Sequence, residues 1–476
     1  MTRRPAFRVS RTGFRTFCKI DGEFEELFTK NCDMYIGMSE LELASKGNGL
    51  EASVCYFGIP EERTAALARI LTVRNMRETD AMLEILDGLA TIVPYGADQD
   101  VLKNMSNLAA AWMQAEDYKE GLSYFRTRAS MEDTARVTKV EGGNFCIAVD
   151  QAGKRIASIV QTRLVFGEDT SLAVPQGFLQ QGIGELCTVE QIAQNQFPCC
   201  FIPMKRRLKP GECLTIYSIY GQAEEKGQVL ALAEKICGGE WFCRKRGRAK
   251  ELVDDLCAAV STKTANPVFD AYCRQTYLDN LLRGGSPMFF RHKGVSKPYY
   301  IYSRKHGDPE REYNYFSLGK EYYAQGNGNY RDVNQNRRCD VLFAPELGTT
   351  NIHTFYDLIQ TDGYNPLVLN AATYMLTEET RKAFAVQYPV LEKLLGKPFT
   401  PGALSMKLED AGVDPEKNME ITAEIICAAQ NEPNADFKEG YWCDHWTYNL
   451  DLIESYLTIY PEQKDNLLFC DRSYRY

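Results

Sequence analysis

Two runs of this chain set carboxylates, amides and aromatic rings beside glycine. They are Gly326-Asn327-Gly328-Asn329-Tyr330-Arg331-Asp332-Val333-Asn334-Gln335-Asn336 and Gly440-Tyr441-Trp442-Cys443-Asp444-His445-Trp446-Thr447-Tyr448-Asn449-Leu450-Asp451. Each reads as a loop entering a helix. Flat ring faces cover the apolar side of a pyranose, and carboxylates and amides take its hydroxyls, so the mixture suits a sugar. Asp444 has two readings. It is a helix N-cap worth ~1 kcal/mol, or a general acid for a departing glycosidic oxygen, its proton kept by desolvation among Trp442, Trp446 and Tyr448. Arg331-Asp332 is either an exposed ion pair of little energetic weight or the charged corner of a site. In that site Asp332, Asn334, Gln335 and Asn336 find their hydrogen-bond partners in ligand hydroxyls.

Other candidates surround these. Ser303-Arg304-Lys305-His306-Gly307-Asp308 opens a dense charged loop, either a solvated face or an anion site built on Arg304 and His306. Glu439 lies five residues before Asp444, so a pair of carboxylates for inverting hydrolysis is open on spacing; that chemistry needs them ~6.5–9.5 Å apart. The Gly-Asn run lacks GxGxxG spacing and follows no convincing strand, which excludes a nucleotide cradle. There is no GxSxG elbow. The four histidines, His292, His306, His353 and His445, are scattered without cysteine pairs at finger spacing, so no metal is expected.

The elements that must position these residues fall into two halves. Up to about residue 245 the chain reads as β-rich: strands near 50–58, 66–73, 141–149, 155–166 and 213–220, one helix over 101–115, and a helix over 225–237 stopped by Gly238-Gly239. Beyond it the period becomes helical, with helices at 268–283, 351–361, 366–376, 378–395 and 419–430. In the last helix, from Asp444, Trp446, Leu450, Ile453, Leu457 and Tyr460 form one face and Pro461 closes it. The expected architecture is α+β and multidomain: an N-terminal antiparallel β-sandwich over 1–240, a helical linker over 241–265 and a helical domain over 266–476. At common helix and loop lengths the last holds about three or four helix pairs.

Bulk composition narrows the function class. The chain has 476 residues and a formal net charge of −9, which disfavours a phosphate-backbone partner, so no nucleic acid is expected. The clusters Lys205-Arg206-Arg207 and Arg244-Lys245-Arg246-Gly247-Arg248 read as solvated surface. The sixteen cysteines form no CxxC pair and sit mostly in apolar runs, as in a reducing compartment. No apolar run reaches the length of a membrane span, and no hydrophobic stretch follows the basic N-terminus. The expectation is a cytoplasmic protein without a membrane contact.

At Tyr272-Cys273-Arg274-Gln275-Thr276-Tyr277-Leu278-Asp279-Asn280, Tyr302-Ser303-Arg304-Lys305-His306-Gly307-Asp308, Tyr330-Arg331-Asp332-Val333-Asn334-Gln335-Asn336-Arg337-Arg338 and Asp444-His445-Trp446-Thr447-Tyr448-Asn449-Leu450-Asp451, the chain resembles the inverting β-1,3-oligoglucan phosphorylases. These are larger relatives of the cellobiose, laminaribiose and cellodextrin phosphorylases. The resemblance implies a β-sandwich, a helical linker and an (α/α)6 barrel of which only the first part is present. It implies phosphorolysis of an oligosaccharide, with inorganic phosphate as co-substrate, no cofactor, and release of α-glucose 1-phosphate. It places Asp444 at the general acid. It gives sugar binding to Arg331 and Asp332 and phosphate binding to Arg304 and His306; Gln335, Asn336, Trp442, His445 and Trp446, in the same two segments, are expected as further sugar contacts from their residue types. Family members are about twice this length, so the remaining barrel helices are expected on a separate chain, with a homodimer as a further assembly. Inverting hydrolysis and a catalytically silent glycan-binding fragment are the rival readings.

Overall fold

The computed structural model describes residues 9–29, 32–97, 99–129, 135, 140–301, 318–319, 321–432, 434–437 and 443–474. The chain is a mixed α/β protein with a large antiparallel sheet, and it divides into two compact units, Met1–Asp254 and Asp255–Tyr476.

Two antiparallel sheets build the first unit. The strands are β1 (Phe14–Ile20), β2 (Glu23–Leu27), β3 (Cys32–Ile36), β4 (Glu40–Gly47), β5 (Leu50–Gly58), β6 (Ala66–Asn75), β7 (Ala81–Leu89), β8 (Met113–Glu116), β9 (Leu122–Thr127), β10 (Gly143–Val149), β11 (Cys200–Leu208) and β12 (Cys213–Ala223). One sheet has the order β11-β7-β1-β2, the other β3-β4-β5-β6-β12-β10-β9-β8. Ile20, Leu83, Ile85 and Ile202 of the smaller sheet share a core with Val54, Leu71, Val73 and Ile216 of the larger. Each sheet is also covered on its other face. Phe17, Leu86 and Phe201 meet Phe166, Phe178 and Leu186, while Phe145, Ile147 and Ile219 meet Val229, Leu232, Trp241 and Phe242. Double-sided burial explains why these strands read as near-continuous apolar runs.

A buried ion pair ties the two sheets together. Arg69 of β6 contacts Asp87 of β7, donates to Tyr56 Oη at 3.0 Å and to Thr16 Oγ1 at 3.0 Å, and Thr16 donates to Asp87 Oδ1 at 2.7 Å. The basic clusters also find acidic partners: Lys205 with Glu84, Arg206 with Glu212, Arg246 with Glu40 and Arg248 with Glu61.

Several expected elements differ. Residues 155–166 form no strand. They pair in strand fashion at the isolated bridges Val149–Arg155 and Ile159–Phe201, and turn helical over Thr162–Phe166. The side chain of Gln191 accepts from the amides of Val160 and Gln161, taking the place of a neighbouring strand. The helix expected over 101–115 is two short helices, Gln99–Asn104 and Ser106–Trp112, after which Met113–Glu116 joins the large sheet as β8.

The second unit is rich in helices. The helix Pro267–Gly284 starts at Asn266, whose side chain accepts from the amides of Val268 and Phe269. A hairpin, Ser286–His292 with Val295–Ile301, was not expected. Its two-residue turn, Lys293-Gly294, has φ of 46° and 81°, the left-handed pair a tight hairpin needs. The helix expected over 366–376 is absent. Val368–Leu369 and Thr373–Met375 are short strands, and Leu367 and Asn370 send their amides to the carbonyls of Asp436 and Asn434. Pro389 breaks the expected helix 378–395 into Glu378–Gln387 and Glu392–Leu395. The helix Pro415–Ala428 is seated on Asp414.

Two apolar clusters carry this unit. Phe290 and Tyr299 of the hairpin pack with Tyr374, Leu391, Leu404, Ile421 and Ile425. Tyr330 and Val333 pack with Ile352, Phe355, Leu452 and Tyr456. The second cluster lies beneath the residues singled out from the sequence.

Candidate active site

Two helix starts build this site. The first helix runs from Tyr330 to Arg337. Its entry is fixed by a three-stranded ladder in which Gly328-Asn329 pairs with Val368-Leu369, which pairs in turn with Ala435-Asp436. Only glycine fits at 328, where a Cβ would fall 2.3 Å from Val333 Cγ2. Asn329 then caps the helix, its side chain accepting from the Arg331 amide at 3.1 Å. Tyr330 is fully buried beneath it and donates its hydroxyl to the Phe355 carbonyl at 2.9 Å.

The second helix runs from His445 to Ile459. Asp444 stands in front of it with φ −68° and ψ −17°, already helical, and its side chain makes no capping hydrogen bond. A capping side chain works from an extended backbone, so Asp444 occupies the capping position without doing the capping. Its Oδ2 lies 3.7 Å from Nη1 of Arg331, and Arg331 Nε lies 3.3 Å from Asp332 Oδ1. Two carboxyls therefore flank one guanidinium. They differ in surroundings: the Asp332 side chain is 3% exposed and that of Asp444 is 44% exposed.

Behind this corner lies a buried polar layer. The His445 ring stacks on Tyr330 with centroids 4.9 Å apart, and its Nδ1 is 2.6 Å from Asn365 Oδ1. Burial pushes the imidazole down to about 4, with Arg331 acting in the same sense and Asp444 against it, so the ring is neutral at pH 7. Asn449 Oδ1 accepts from Asn334 Nδ2 at 2.5 Å and lies 3.2 Å from Tyr330 Oη. Among the described residues, four buried atoms here have no hydrogen-bond partner: Asp332 Oδ2, Asn334 Oδ1, Asn365 Nδ2 and Asn449 Nδ2. Buried polar atoms are ordinarily satisfied by protein or ordered water, so their concentration in one corner marks a place built around polar groups beyond the side chains themselves.

The structure thus brings together Arg331, Asp332, Asp444 and His445. It places Gln335 on the exposed side of its helix, and Asn336 donates its amide to the Asp332 carbonyl at 2.6 Å, one turn back along the helix. Trp446 is 39% exposed. Tyr448 is half-buried, with the Arg338 guanidinium 5.6 Å from its ring centre. Trp442, Glu439, Arg304 and His306 lie outside the described residues. Asn365 was missed in the sequence. It stands in Tyr364-Asn365-Pro366, with no pattern to single it out, and only the fold carries it to His445. Among the described residues no group of three His, Cys, Asp or Glu is arranged to hold a metal ion, and no helix is long and apolar enough to cross a membrane.

No protein-family model matches the chain, and no curated protein matches it. Among solved structures it is similar to a polysaccharide lyase, at 10% identity and a TM-score of 0.28 over 46% of this chain and 27% of that one. It is also similar to a protein described as a kojibiose phosphorylase from the human microbiome, at 8% identity and a TM-score of 0.24 over 58% and 28%. The chain spans less than a third of the length of each. Likeness at this level assigns neither a family nor an activity.

Proposed function

We propose that this chain carries the acid side of a glycoside phosphorylase site acting on β-glucan oligosaccharides, β-1,3-linked by the sequence resemblance. The observation that carries the reading is the freedom of Asp444, a carboxyl at a helix start that caps nothing and stands at the Arg331–Asp332 corner. In the reaction, a phosphate oxygen attacks the anomeric carbon as the glycosidic C–O bond breaks. The bonding electron pair goes to the leaving oxygen, which takes the proton of Asp444. Phosphate is already a nucleophile at neutral pH, so one catalytic carboxyl suffices. Arg331 and Asp332 hold the hydroxyls of the sugar being cleaved. Neutral His445, stacked on Tyr330 and bonded to Asn365, positions the first turn from which Asp444 projects. A sugar ring lying over the half-exposed Asp444 carboxyl excludes water from it.

The proposal is tested by incubating the protein with laminari-oligosaccharides and phosphate and measuring α-glucose 1-phosphate; none formed at any chain length would remove phosphorolysis. A second reading is glycan binding without turnover. The 44% exposure of the Asp444 side chain favours it. It predicts oligosaccharide binding with no product. Hydrolysis predicts free glucose at an equal rate without phosphate.

A further inference from the structure

The helix Tyr330–Arg337 has a second face. Val333 and Arg337, one turn apart, line a cavity of about 530 Å³, within the range of small-molecule sites, and neither Asp444 nor Arg331 lines it. The Arg337 residue is 6% exposed. Its guanidinium lies 3.7 Å from the centre of the Tyr300 ring, and Nε donates to the Gly284 carbonyl. Its two terminal amino groups have no protein acceptor and no carboxylate within ion-pair distance among the described residues. Asp340, whose charge reaches it, spends Oδ2 on the Tyr300 hydroxyl at 2.9 Å. A buried guanidinium without an anionic partner is costly unless something else supplies one.

The rest of the cavity wall fits a small polyol. Lys297 adds a second cation, its ammonium already donating to the carbonyls of Ile426 and Ala429. Tyr374 offers a ring, Gln325, Asn370 and Thr350 offer hydrogen-bonding groups, and Asp357 beside His353 is the acidic part of the wall. The purely structural role of Arg337, stacking on Tyr300 and one bond to Gly284, uses one of its five N–H donors, and the residue lines the cavity.

We infer that this cavity is a second binding site, separate from the Asp444 corner, for a monosaccharide-sized ligand bearing a phosphate or carboxylate, with Arg337 taking the anion. The inference stands independently of the phosphorylase reading.

Thermal unfolding and calorimetric titration at constant ionic strength test it, with glucose 6-phosphate, glucuronate, inorganic phosphate and glucose as probes. The expected result is saturable binding of glucose 6-phosphate or glucuronate, at least tenfold tighter than glucose. Binding of inorganic phosphate as tight as glucose 6-phosphate assigns the site to the anion alone and overturns the polyol part. Arg337→Met is expected to weaken binding at least tenfold. Thr350→Trp fills the cavity from its wall with Arg337 intact, abolishes binding, and decides the matter if Arg337→Met does not fold. Asp444→Asn leaves binding unchanged, which separates this cavity from the proposed reaction site. The proposal is overturned if no anionic sugar binds the unaltered chain, if Thr350→Trp binds as well as the parent, or if Asp444→Asn abolishes binding.

Discussion

The carboxyl of Asp444 and the guanidinium of Arg331 meet at 3.7 Å across the starts of two helices, and neither helix depends on the contact. Asn329 caps one, and the other begins without a side-chain cap. A partly exposed pair at this distance is worth ~0–1 kcal/mol. Asp444→Asn is therefore expected to leave the thermal midpoint nearly unchanged. A loss of several degrees would show that the residue serves the fold.

On the proposed reading, Arg331 serves a ligand more than it serves the chain. Its side chain is 38% exposed and faces both carboxyls. A charge-assisted hydrogen bond to a substrate hydroxyl contributes ~1.5–3 kcal/mol, so Arg331→Met is expected to weaken oligosaccharide affinity by about 10- to 100-fold. Isothermal titration with laminari-oligosaccharides measures this; unchanged affinity would remove Arg331 from the binding surface.

Two buried groups in the second unit answer pH in opposite directions. His445 titrates near 4 in the fold, mainly through burial, against 6.5 ordinarily. Between those values the unfolded chain binds the proton and the folded one does not, so stability is lost as pH falls through that window, by roughly 3 kcal/mol in all. Burial raises Asp340 to about 7 from 3.8. There the folded state holds the extra proton, so stability is present at low pH and lost as pH rises towards 7. The two contributions are similar in size and opposite in sign, which predicts a shallow profile between pH 7 and 4.5. Asp340→Asn uncovers the histidine: its unfolding midpoint should drop on acidification, and adding His445→Gln should flatten it again. A flat profile for Asp340→Asn alone would contradict the assignment.

In the first unit, Arg69 and Asp87 face one another across the two sheets with 1% and 0% side-chain exposure. Removing one partner leaves an uncompensated buried charge, so Asp87→Ala is expected to cost about 3–5 kcal/mol. Denaturant unfolding of the whole chain reads this directly, and a loss below about 1 kcal/mol would mean the site relaxes or takes in water.

Four of the twelve strands described in the first unit, those near 50–58, 66–73, 141–149 and 213–220, were legible because alternation and apolar runs survive where both faces of a sheet are packed. The segment 155–166 misled because strand composition says nothing about who answers the backbone, and here Gln191 does so from a distant loop. The hairpin at 286–301 hid behind a Lys-Gly turn in place of the commoner Asn-Gly, and the short ladders at 368–375 carried too few residues to show a period. At the candidate site, Arg331, Asp332, Asp444 and His445 were read from residue type beside glycine and aromatics. Asn365 and the cavity behind Arg337 depend on chain crossings that no local pattern records.

The most direct test is α-glucose 1-phosphate release from laminari-oligosaccharides in phosphate, comparing the parent chain with Asp444→Asn at matched folded concentration. The account predicts product from the parent and a loss of at least a hundredfold in the variant, with both binding the oligosaccharide alike. Equal rates from the two proteins would contradict it, and the carboxyl in front of the last long helix would have no part in the chemistry.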